Sequence, residues 1–143
     1  MRLSTQIPRA FGVFYDRIHH WYPVLFPEFF DFYCERITSL LLPSTGSCLV
    51  LLVAAIGSIA EYQSLKVAYE VRPDSRYINR ALCMLPSVLA EFSLASVQCL
   101  VLLSIYYSLL VRPCQAHEYI LMASSKAQAI FKWWIYNLSL VKC

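Results

Sequence analysis

The stretch from Ser93 to Phe131, SLASVQCLVLLSIYYSLLVRPCQAHEYILMASSKAQAIF, constrains this chain more than any other. Its first half, from Leu94 to about Leu110, is almost free of charge, so it must be enclosed by protein or by lipid. Ser93 stands just ahead of it, where a hydroxyl can accept a backbone N–H as an N-cap does. Arg112 and Pro113 make a corner. Proline suits the first position of the next helix, because that position needs no N–H partner. The stretch predicts two long helices joined as a hairpin. What packs around the hairpin decides the class of the protein.

Composition narrows the choice without closing it. Apolar residues make up 59% and charged residues 15%, against roughly 25% charge in an ordinary soluble domain. The chain reads as a membrane protein or as the buried part of a larger body. At 143 residues it holds one domain at most. The net charge is +3, and the Lys and Arg are scattered among acidic residues, so no basic run marks a nucleic-acid surface. The six cysteines are Cys34, Cys48, Cys83, Cys99, Cys114 and Cys143. None forms the CxxC pair from which zinc sites usually start. Cys48, Cys83 and Cys99 lie in apolar helical patterns and read as small buried hydrophobes. The N-terminus lacks the continuous apolar core of a signal peptide, which makes a reducing intracellular compartment the expectation.

Along the chain, residues 1–9 read as a disordered lead-in. From Ala10, a helical period places Phe11, Phe14, Tyr15, Ile18 and Tyr22 on one face, and Pro23 stops it. WYPVLFPEFF is an aromatic elbow. Pro27 opens a helix striped by Phe30, Tyr33, Ile37 and Leu41, which Pro43 and the STGS cluster break. One helix is expected from Ser47 to about Val71, apolar all round in its first half and amphipathic in its second. Gly57 in mid-helix costs roughly 1 kcal/mol relative to Ala; close approach of another helix would explain it. RPDS marks a loop. A helix from Ser75 to about Ala90 follows, kinked or cut short by Pro86. After the hairpin, KWWIYNLSLVKC has no clear pattern. The expected fold is all-α, about six helices in an irregular bundle centred on the buried hairpin at about 94–131. Residues 1–9 are the lead-in, 10–131 the domain and 132–143 a tail.

Chemistry-bearing constellations are sparse. His19 and His20 are adjacent, about 100° apart on a helix, and cannot easily share a metal; His117 beside Glu118 meets the same objection. No G-x-S-x-G elbow, P-loop or G-x-G-x-x-G is present. Glu28, Asp31 and Glu35 read as one solvated helix face. Asn137-Leu138-Ser139 matches a glycosylation acceptor, without meaning when no signal peptide precedes it. No catalytic, cofactor-binding or metal-binding residue is assigned, and the chain is not expected to be an enzyme. The competing class is a small integral membrane protein with helical spans at about 47–60 and 94–111. The second is roughly 27 Å long, just short of a hydrocarbon core, and the flanking charges lack a positive-inside bias.

Several blocks, in order, resemble the fungal-specific transcription factor domain, the regulatory middle homology region of zinc-cluster regulators. They are FYDRIHHWYPVLFPEFFDFY, CLVLLVAAIGSIAE, YINRALCMLP and SLASVQCLVLLSIYYSLLVRPCQAHEYILMASSKAQ, together covering roughly residues 11–131. The chain departs from the pattern where Ser125 and Lys126 occupy the region of the usual Arg, and it stops where the family continues with further helices. The zinc-cluster module is absent. The resemblance implies a truncated regulatory domain acting in the nucleus on DNA-templated transcription. Its DNA and zinc would be bound by a module missing here. It also implies a small-molecule effector or co-regulator as partner and a homodimer in the full-length family. Any effector pocket is expected between the hairpin and the aromatic elbow, at Trp21, Tyr22 and Phe26.

Overall fold

A computed structural model describes residues 2–20, 23, 44–62 and 64–142 of the chain. The expected helix over 27–41 and most of the aromatic elbow lie outside the described residues. Seven α-helices and one π-helical turn are described, with no strand among the described residues, which bears out the all-α expectation.

The first helix, α1 (Arg2–Phe14), runs directly into the π-helical turn Tyr15–His19. Of the expected lead-in, residues 2–9 lie in this helix. Ile7 and Ala10 extend the stripe of Phe11, Phe14 and Ile18 toward the N-terminus, and all five are buried. Pro8 lies within the helix on its exposed side, where the lost N–H costs one bond without disturbing that stripe.

Helix α2 (Thr45–Ala60) is the centre of the molecule. Ser44 is extended at φ −156°, ψ 159°, and its hydroxyl accepts the Ser47 N–H at 3.1 Å. Every residue from Ser47 to Ile59 is buried, as an all-round apolar helix must be. The expected single helix to Val71 is in fact two. The Ala60 carbonyl, which a continuing helix would give to the Ser64 N–H, accepts Arg17 Nη1 instead. Ser64 is extended, and α3 (Leu65–Val71) begins after it.

Helices α4 (Ser75–Cys83) and α5 (Leu85–Ala90) divide at Met84, because Pro86 cannot donate to the carbonyl four residues back. In α6 (Leu94–Leu109) the Ser93 hydroxyl accepts the Ser96 N–H at 3.3 Å, as expected of the cap. The corner then closes as a Schellman motif. The Val111 N–H reaches the Ser108 carbonyl at 3.1 Å and the Arg112 N–H reaches Tyr107 at 2.9 Å. Val111 adopts φ 55°, the left-handed region in which glycine is usual.

Helix α7 (Pro113–Val141) takes in most of the tail in which the sequence shows no clear pattern. No proline or glycine interrupts it, and Asn137 Nδ2 and Ser139 Oγ bond back to the carbonyls of Trp133 and Tyr136 at 2.9 and 2.7 Å. Only Ala116 and Ala123 of this helix are buried. The hairpin is thus not the centre of the bundle: α6 is inside, while α7 lies across it with one face covered. Helix α2 takes the centre instead, packed by α1, α4 and α6. The two candidate spans fall in the 16-residue helices α2 and α6. Among the described residues no helix is long and apolar enough to cross a membrane.

Candidate functional site

Where polar groups meet this apolar body, they converge on the short loop after α3. Arg72 ends α3 at φ 51°, its N–H held by the Ala68 carbonyl at 2.8 Å. That turn points the guanidinium back over Asp74, with Nε to Oδ1 at 3.3 Å and Nη2 to Oδ2 at 3.2 Å. Asp74 stands at the start of α4, the usual post of a capping carboxylate, yet makes no side-chain cap. It is completely buried and accepts the Tyr106 hydroxyl of α6 at 2.5 Å. Arg72 Nη2 also reaches the Tyr106 hydroxyl oxygen at 3.2 Å.

A carboxylate at zero exposure is tolerable only when paired and hydrogen-bonded. Arg72 supplies the charge, Tyr106 the second donor, and the positive end of α4 adds to both. The hydrogen bonds that Arg72 donates to Asp74 push its guanidinium above its ordinary value. Burial, then the hydrogen bond to Asp74, pushes the Tyr106 hydroxyl well up. The cluster fastens the loop and α4 to α6. Nearby, the Tyr69 hydroxyl donates to the Leu109 carbonyl at the end of α6.

The outer side of the same loop forms one wall of an open cleft of about 930 Å³, bounded by α1, the end of α2, α3 and the first turn of α4. Arg9, Arg72 and Arg76 line it, with Glu61 the carboxylate in the lining. Arg9 pairs with Glu61. Arg76 lies 5.7 Å from the centre of the Tyr77 ring. Tyr62, Val67, Val71 and Tyr77 supply apolar surface, and Val67 and Val71 are left 43% and 57% exposed. This is not the pocket expected at Trp21, Tyr22 and Phe26; those three residues lie outside the described ones.

Other candidates resolve into structural roles. Cys48 and Cys99 are buried, their thiols directed to the carbonyls of Ala81 and Thr45 at 3.6 Å each, whereas Cys83, expected to be buried with them, is exposed at the last position of α4. The neighbouring Cys48 thiol, then burial, pushes the Cys99 thiol up. Among the described residues no three His, Cys, Asp or Glu side chains could hold a metal ion. His19 packs against the rings of Tyr15 and Phe14, at 4.9 and 6.4 Å between centres. Lys126, at the family's Arg region, donates to the Val88, Leu89 and Glu91 carbonyls at 3.1, 2.9 and 2.6 Å and so caps α5.

Sequence reasoning missed the Asp74–Tyr106 pairing. One signal was available: a tyrosine in an otherwise apolar buried helix needs a partner for its hydroxyl. Which loop supplies that partner is set by packing alone.

Over 127 residues, 89% of its length, the chain is 46% identical to a protein named "Putative transcription factor ecdB" from Aspergillus rugulosus. The chain is a homologue of a segment of that protein. The match spans 22% of that relative's length. No family model matches the chain, and no solved structure matches it.

Proposed function

We propose that this chain is a regulatory-domain segment of a fungal zinc-cluster transcription regulator, acting in the nucleus and without catalysis. The observation that carries the reading is the 46% identity over 89% of the chain to a protein bearing a transcription factor's name. The ordered blocks that resemble the fungal regulatory domain make it more specific. DNA contact and zinc binding belong to a module outside these residues. The segment's part is to transmit regulation, through an effector or a partner protein, to a DNA-bound regulator.

A domain-swap experiment tests this. The homologous segment of the Aspergillus rugulosus relative is replaced by residues 11–131 of this chain, and transcription from a dependent reporter is measured. The expected result is retained, regulated transcription, with deletion of the segment abolishing the regulation. A chimera that behaves like the deletion would sink the reading. The chain alone should give no specific shift of promoter DNA, and a specific shift would contradict the division of labour.

A further inference from the structure

The cleft beside Asp74 combines exposed apolar surface with arginine side chains. Its volume of about 930 Å³ is that of a small-molecule site. Val67 and Val71 in its lining are substantially exposed to solvent. Arg9, Arg72, Arg76 and Glu61 line it as well.

The charges can be apportioned. Arg9 is engaged by Glu61, and Arg72 by Asp74 behind the wall. Arg76 has no carboxylate partner among the described residues; its guanidinium rests on the Tyr77 ring. Among the described residues, the lining therefore carries one positive charge, on Arg76, without a carboxylate partner. Each guanidinium has five N–H donors in a fixed fork. Arg72 gives Nε and Nη2 to Asp74, so its remaining donors face elsewhere.

We infer that this cleft binds a small organic anion: a carboxylate on an apolar or aromatic body, the carboxylate on Arg76 and the body against Val67 and Val71. The inference names the ligand class for the effector in the regulatory reading and rests on that reading only for its consequence. Binding itself is a property of the chain, so the two can fail separately.

The probes are 2-naphthoate and its neutral analogue 2-naphthamide, titrated into the full chain by isothermal calorimetry. Naphthoate is expected to bind saturably and the amide at least about tenfold more weakly, since a charge-assisted contact contributes roughly that much. Arg76→Gln should weaken naphthoate by a similar factor. Lys132→Gln, which removes a cation from the exposed part of α7, should leave it unchanged. Circular dichroism on both variants confirms that helix content is retained, as expected for exposed side chains. Equal binding of acid and amide, undiminished binding to Arg76→Gln, an equal loss in Lys132→Gln, or no saturable naphthoate binding would each overturn the inference. Naphthoate binding together with a failed domain swap would leave the site standing and refute its regulatory role.

Discussion

Gly57 offers the sharpest test of the packing. It faces α1 so closely that an added Cβ would lie 2.0 Å from the Ala10 carbonyl oxygen and 2.7 Å from its carbon. Ordinary van der Waals contact begins at 3.4 Å, so Gly57→Ala must push α1 from α2 by roughly 1.4 Å against rigid backbone. On an open helix face the same change would stabilise by about 1 kcal/mol. Here overpacking of about 3 kcal/mol opposes that gain, leaving a net loss near 2 kcal/mol. In a chain of this size that lowers the melting temperature by roughly 8 °C. Gly12 provides the internal control: it is exposed, and a Cβ there meets nothing within 4 Å. Thermal unfolding followed by circular dichroism should show Gly12→Ala at or above the parent and Gly57→Ala well below it. A Gly57→Ala chain that melts with the parent or higher would refute the close approach of α1 and α2.

Tyr106→Phe removes a donor from a fully buried carboxylate and should cost about 1–3 kcal/mol, read as a lower urea midpoint. The Tyr106 pKa is raised on folding, so its contribution is complete below the unfolded value of about 10. It is lost as pH climbs through the higher folded value. Stability should therefore fall at alkaline pH, less steeply in Tyr106→Phe than in the parent, in urea titrations across that range. Lys126→Met strips three carbonyls of their donor and should lower stability by about 1 kcal/mol, with Lys126→Arg restoring part of it. Val111→Gly relieves a left-handed valine and should raise stability by about 1 kcal/mol; a drop in melting temperature would contradict the Schellman corner. Trp134→Glu, at 56% exposure, should leave the melting temperature within about 2 °C of the parent in thermal unfolding followed by circular dichroism.

What the sequence reveals here is what local chemistry decides. The Ser93 cap, the break at Pro86 and the close approach at Gly57 each rest on one residue type with one physical consequence. The gap after Ala60 was not legible, because its cause is Arg17, 43 positions away. The start of α1 was obscured by Pro8, a breaker by rule that the buried stripe at Ile7 and Ala10 overrides. The corner itself was legible at Arg112 and Pro113, but its Schellman geometry was not, because the left-handed position at Val111 holds no glycine. Helix α7 has the apolar content of a buried helix, and only the fold shows that α6 covers one narrow strip of it. The Asp74 cluster is the same lesson in the candidate site: its partners lie 32 residues apart and on elements with unrelated patterns. The cleft could not be read at all, since its walls come from four elements.

The enclosure of α2 also sets how the molecule breathes. Its amide protons can meet solvent deuterons only after α1, α4 or α6 departs, so their exchange should track global opening. The amides of residues 131–141 sit on a helix whose surroundings are largely water, and they should exchange through local fraying, orders of magnitude sooner. A single deuterium-uptake time course would thus divide the chain into a slow kernel built around α2 and a fast extremity at the end of α7.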